Sequence, residues 1–103
     1  MGILSNYCGL GGSGIPQHEV DRICQEHDDD YRMIQEQGLN PYTHYNWADE
    51  KMLDAISKVV DPNSLAATGL WNLKREITTS LPNLQGIAHA KQTFTLRWKD
   101  IRK

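Results

Sequence analysis

Four side chains in the first half of this chain invite a chemical reading: His27, Asp28 and Tyr31 in one stretch, and Asp49 in the next. A carboxylate on one imidazole nitrogen fixes the tautomer and stabilises the imidazolium, which leaves the other nitrogen free to take a proton from water. His27 and Tyr31 are four residues apart, so on a helix they share a face. Asp28 points about 100° away, toward a different wall. In the plainer case a lone histidine on an apolar face is a hydrogen-bonded core residue. Cys24 lies three residues before His27 on the same face but has another use open to it, and no serine stands beside the imidazole, so water is the better nucleophile.

Asp28 needs its own task. Upstream, Cys8-Gly9-Leu10-Gly11-Gly12-Ser13-Gly14 places four of the chain's eight glycines within six positions. Such a loop needs positive φ, or brings bare backbone close to something. A carboxylate beside a turning loop of carbonyls suits calcium, a hard cation with oxygen ligands. The loop must then dock on the helix, and a Cys8–Cys24 bridge would do that. Two cysteines are too few for a disulfide scaffold, and they form one bridge or remain thiols. The competing arrangement, a soft-metal site from Cys8, Cys24 and His27 with His18, lacks paired zinc spacing and leaves Asp28 unused.

The elements that must position these groups are helices. Pro16 suits a first turn, and Val20, Ile23, Cys24, His27, Tyr31 and Ile34 recur at spacings of three and four, which predicts a helix over 17–37 closed by Gly38. Asn40-Pro41 breaks the chain. A second helix is expected over 43–60, with Tyr45, Ala48, Met52, Leu53, Ile56, Val59 and Val60 as its apolar line and Asp49 beside it; Asp54 falls on another face. A buried carboxylate needs partners, and in an antiparallel pair of helices His27 and Tyr31 are the natural ones for Asp49. A weaker third helix follows over 64–80, with Leu65, Leu70, Leu73 and Ile77 inward and Gly69 at a close contact. Thr93-Phe94-Thr95-Leu96-Arg97-Trp98 alternates polar and apolar, which favours an extended tail. Asp29 and Asp30 read as a solvated face, and His18, His44 and His89 as surface residues.

The run Tyr7-Cys8-Gly9-Leu10-Gly11-Gly12-Ser13-Gly14-Ile15-Pro16, followed by Asp21, Cys24 and His27-Asp28-Asp29-Asp30-Tyr31, closely resembles the calcium loop and active-site helix of secreted-type phospholipases A2. Gly38-Leu39-Asn40-Pro41-Tyr42 with Ala48-Asp49 looks more like the short phospholipase A2 domain in the minor capsid protein of parvoviruses, although parvoviral domains usually lack the cysteine pair. The resemblance covers residues 7 to about 53. It implies a mainly α, small phospholipase A2-like fold with a calcium loop over 7–16 and two antiparallel catalytic helices; the third helix and a basic tail over 91–103 come from the residues themselves, and 1–103 reads as one domain. The resemblance also implies roles. Tyr7, Gly9 and Gly11 would offer backbone carbonyls to Ca2+, and Asp28 both carboxylate oxygens. His27 would activate water, Asp49 would orient His27, and Tyr31 would hydrogen-bond Asp49. The Gly9 N–H would help hold the oxyanion. The reaction implied is cleavage of the sn-2 ester to a fatty acid and a lysophospholipid.

Composition bounds the rest. The chain has 103 residues, 39% of them apolar and 23% charged, the balance of one small globular domain. Its longest nearly apolar stretch, Leu65 to Trp71, still contains Thr68, whereas a spanning helix needs about 20 apolar residues. Glycines arrive too early for a signal-peptide apolar region. Net charge is −2, which argues against nucleic acid as a partner. The average hides a split, because residues 91–103 carry five bases against Asp100 alone. A phospholipase must meet a bilayer surface, and Ile3, Leu4, Leu10, Ile15 and Trp71 are the contact candidates, with the Phe94, Leu96 and Trp98 row open to either packing or lipid. The resemblance implies a setting as a monomeric domain, in a larger viral capsid protein acting at a host endosomal membrane or in a secreted protein. The rival from another class is a noncatalytic calcium- or lipid-binding module on the same fold.

Overall fold

The computed structural model describes residues 5–9, 12–43, 47–79 and 84–103. Among them the chain forms five helices: α1 (Glu19–Glu36), α2 (Trp47–Ser57), α3 (Leu65–Thr79), α4 (Leu84–Leu96) and the single turn α5 (Trp98–Ile101). Among the described residues no strand forms beyond one isolated bridge, Val60 to Arg102, and no helix is long and apolar enough to cross a membrane.

Helix α1 has defined ends. His18 caps it, its Nδ1 accepting the Asp21 N–H at 3.0 Å, and Glu19 and Asp21 in the first turn complement the helix dipole. At the other end Gly38 takes φ +84. Its N–H donates to the Gln35 carbonyl at 3.0 Å and the Leu39 N–H to the Ile34 carbonyl at 3.2 Å, the paired closure that a left-handed glycine permits. The buried stripe is Val20, Cys24, His27, Tyr31 and Ile34.

The partner of that stripe is α2, which buries Ala48, Asp49, Met52, Leu53 and Ile56. The two helices run antiparallel: Tyr31 meets Asp49, Glu26 and Asp30 meet Lys51, and Ile23 lies near Ala55. Asp30, expected on a solvated face, is buried and pairs with the Lys51 ammonium at 3.0 Å. The same ammonium meets Glu26 at 2.7 Å. Hydrogen bonds to Glu26 and Asp30 push the Lys51 ammonium pKa up. The α2 helix stops at Ser57, short of the expected 60. Val59 and Val60 instead form the turn to which the C-terminus is stitched, where Lys103 N–H donates to the Val59 carbonyl at 3.0 Å.

The segment expected to be extended is helical. Ile87, Lys91, Phe94 and Thr95 are its buried positions, at helical spacing. The alternating row misleads because Phe94 and Trp98 are four apart and fit either period. A strand would also have needed a partner edge, whereas a helix satisfies its own backbone. Phe94 enters the main core with Leu53, Ile56, Leu70, Leu73, Ile77, Ile87 and Ile101. Leu96 stays 57% exposed. Trp98 stacks on His18, ring centroids 5.6 Å apart, so His18 is not the free surface residue expected. A Cβ at Gly69 would meet nothing within 4 Å, so the close contact expected there is absent.

Two devices fasten the glycine loop to α1. The first is a disulfide between Cys8 and Cys24, with Cα atoms 5.1 Å apart. The second is the buried Asp21 carboxylate, which accepts N–H groups from Tyr7 at 2.7 Å, Gln17 at 2.8 Å, Asn6 at 2.9 Å and Cys8 at 3.3 Å. Burial pushes this carboxyl upward, but the four backbone donors outweigh it and its pKa lies below the ordinary 3.8.

The bridge closes a separation of 16 residues, and a loop of that length contributes about 3 kcal/mol by chain entropy. We expect the double variant Cys8→Ala/Cys24→Ala to lose stability of that order; an unchanged melting temperature by circular dichroism would count against the bridge as a staple. The Asp21 contribution is complete above the unfolded carboxyl pKa and is lost as pH falls through the lower folded value. Asp21→Asn is therefore expected to cost on the order of 2 kcal/mol at pH 7 and to make unfolding less sensitive to acid, measured by urea melts across pH 3–7.

Candidate active site

The middle of α1 carries three polar side chains to two different walls. His27 faces α2, where its Nε2 meets Asp49 Oδ1 at 2.9 Å. Tyr31, one turn later, donates its hydroxyl to the same oxygen at 2.5 Å. Asp49 is completely buried and His27 nearly so. The ionised carboxylate only accepts, which assigns the imidazole proton to Nε2 and leaves Nδ1 as an acceptor. The Tyr31 ring tilts against His27 with centroids 4.3 Å apart, and Tyr42 stands edge-on to Tyr31 at 5.1 Å. These contacts limit rotation of the imidazole.

Asp28 faces the other wall. It shares a cavity of about 340 Å³ with His27, Tyr7, Gly9, Gly12 and Tyr31. The imidazole and the loop backbone therefore open onto one space. The loop is held there from within: Tyr7 Oη donates to the Gly14 carbonyl at 2.6 Å and Asn6 Nδ2 to the Ile15 carbonyl at 2.7 Å. Gly9 takes φ +104. At Gly12 a Cβ would stand 2.6 Å from the Tyr7 ring and 3.1 Å from Asp28 Oδ2, so glycine is required for the loop to lie against the carboxylate.

One partner was outside the reach of the sequence. Lys91, counted with the basic tail, points inward from α4 with 4% of its side chain exposed. Its ammonium lies 2.8 Å from Asp28 Oδ1 and 3.4 Å from His27 Nδ1. Among the described residues, Asp28 Oδ2 is buried without a hydrogen-bond partner. Burial pushes the Asp28 carboxyl pKa up, and Lys91 only partly offsets this.

The donor types fit a hard cation. An orphaned carboxylate oxygen, a cradle of bare backbone and an ammonium already drawn to the spot all mark a place that favours positive charge. Among the described residues no group of three or more His, Cys, Asp and Glu gathers, so a cation here would draw on main-chain oxygens. The disulfide consumes both sulfurs and removes the soft-metal arrangement.

Ile3, Leu4, Leu10, Gly11, His44 and Tyr45 fall outside the described residues. Ile15 is 79% exposed and Trp71 68%; Trp71 lines a separate groove with Leu70, Pro62 and Lys74. The work of Asp21 went unread in the sequence. Its place three residues before Cys24, on the helix side that receives the loop, was the available signal.

Comparison with known proteins identifies the family. Residues 3–74 match the family described as phospholipase A2-like domain. The minor capsid protein VP1 of Human bocavirus 2 is 34% identical over 86 residues, 79% of this chain and 13% of the capsid protein. The Homo sapiens group IIF secretory phospholipase A2 is 43% identical over 51 residues, 48% of this chain and 30% of that protein; its Mus musculus counterpart is 54% identical over 41 residues, 39% of this chain and 24% of that protein. No solved structure matches. The chain thus spans about an eighth of the length of its capsid relatives, and by its matched residues it belongs to the phospholipase A2-like domain family.

Proposed function

We propose that this chain is a calcium-dependent phospholipase A2 that hydrolyses the sn-2 ester of glycerophospholipids. The observation that carries the reading is the pair formed by the His27–Asp49 dyad and the Asp28–glycine-loop wall, opening on one cavity.

His27 Nδ1 takes a proton from water as its oxygen bonds to the acyl carbon. Asp49 stabilises the imidazolium through Nε2, and Tyr31 holds Asp49 in place. His27 then returns the proton to the departing ester oxygen, leaving a fatty acid and a lysophospholipid. Asp28 with the carbonyls of Tyr7, Gly9 and Gly11 would hold calcium, which would supply positive charge where the carbonyl oxygen becomes negative. The Gly9 N–H adds a donor for that oxygen. Exposed Ile15 and Trp71 supply apolar contact for a bilayer surface, a role extended to Ile3, Leu4 and Leu10. Similarity to capsid proteins supports a place within a larger capsid protein, and the activity proposed here would let its virion breach a host membrane during entry.

We expect hydrolysis of phosphatidylcholine vesicles with calcium and none with chelator; equal rates in both would sink the mechanism. His27→Ala and Asp28→Ala should each lower turnover by about 10²–10⁴-fold with helical content kept. Wild-type-like turnover in either would reject its role. Asp49→Asn should leave a folded enzyme with a histidine no longer oriented or charge-stabilised, slower by about 10-fold or more, and an unaltered rate would move that role to another residue.

A further inference from the structure

The proposed mechanism gives Lys91 no task, although its ammonium stands between the two groups on which that mechanism turns. It lies within 2.8 Å of Asp28 Oδ1, the expected calcium carboxylate, and 3.4 Å from His27 Nδ1, the nitrogen expected to meet water. The side chain is almost fully buried, and it comes from α4, outside the segment of recognisable motifs.

We propose that Lys91 is an intramolecular cation that occupies the site in the metal-free chain and must withdraw before calcium and the attacking water can enter. The proposal rests on the reading of Asp28 as a calcium ligand. A divalent ion held by Asp28 would lie within a few ångströms of the ammonium, and at that range like charges repel strongly in a buried setting. Both cations also require the same carboxylate. Water can accept a hydrogen bond from Lys91, but an ammonium facing Nδ1 leaves that nitrogen's lone pair engaged. One contact therefore closes both halves of the site. Withdrawal need not move α4, because lysine carries its charge on four flexible methylenes, and the cavity adjoining it is about 340 Å³. Part of the calcium binding energy goes into breaking the pair, so calcium affinity is set below what the oxygens alone would give. The site stays shut until calcium is abundant.

Calorimetric titration of calcium chloride into the full chain and into Lys91→Met tests this. Methionine keeps most of the length and removes the charge. We expect the variant to bind calcium at least tenfold more tightly. Acetylation of Lys91 in the unaltered chain, quantified by mass spectrometry, is a second measurement that needs no variant. The amine should be protected in chelator and several-fold more reactive with saturating calcium. If the unaltered chain binds calcium while Lys91→Met binds no more tightly, the latch is wrong and the calcium reading stands. The latch is equally wrong if Lys91 reactivity does not rise as calcium binds. If neither protein binds calcium, the calcium reading falls and the latch with it. Should Lys91→Met fail to fold by circular dichroism, the acetylation measurement decides.

Discussion

A carboxylate shut away from water has to be satisfied, and Asp49 is shut away completely. An unpaired buried charge would cost several kcal/mol, so α2 can lie against α1 only where Asp49 finds donors. The imidazole of His27 and the hydroxyl of Tyr31 are those donors, and both reach the same oxygen. The helix register follows from that pairing together with the Lys51 contacts to Glu26 and Asp30. Apolar packing of Met52, Leu53 and Ile56 holds the helices together, but sliding them by a turn would preserve much apolar contact while stranding the acid. These polar contacts therefore give the interface its uniqueness, and the His27–Asp49 pair orients the group expected to act as base.

The opposite wall of α1 is organised by a second buried acid. Asp21 gathers four backbone N–H groups from both ends of the glycine loop. A loop of glycines has more conformational freedom to lose than any other. The carboxylate and the disulfide counter that cost by fixing Cys8 and its neighbours to the helix. Residues from four separate segments, the loop, α1, the connection carrying Tyr42 and α4, then enclose one cavity. The two acids beside His27 face different partners, Asp49 meeting an imidazole and a phenol and Asp28 an ammonium. Two carboxylates near one histidine can thus serve different ends.

Much of this was legible in the order of residues. The α1 stripe, its closure at Gly38, the α2 apolar line and the adjacency of His27, Tyr31 and Asp49 follow from a helical period and from the rule that buried charge seeks a partner. The glycine loop with Cys8 and Cys24 announced itself by composition. The tail misled because Phe94 and Trp98 suit two periods at once, and six residues cannot separate them. His18 and Asp30 were read as solvated because their types usually are, and only the packed structure supplies Trp98 and Lys51 as neighbours.

Local order in the chain was enough to decide which side chains α1 displays, where that helix stops, and which residue types could perform acid–base chemistry, because these depend on spacings of three and four and on end groups within a few residues; its start at Glu19, two residues later than expected, is set by the His18 cap. The placement of Lys91 on Asp28, 63 positions away, belongs to the tertiary structure alone. Nothing between residues 28 and 91 marks that lysine from its basic neighbours in the tail. It is singled out only when α4 folds back across α1 and turns that one ammonium into the cavity.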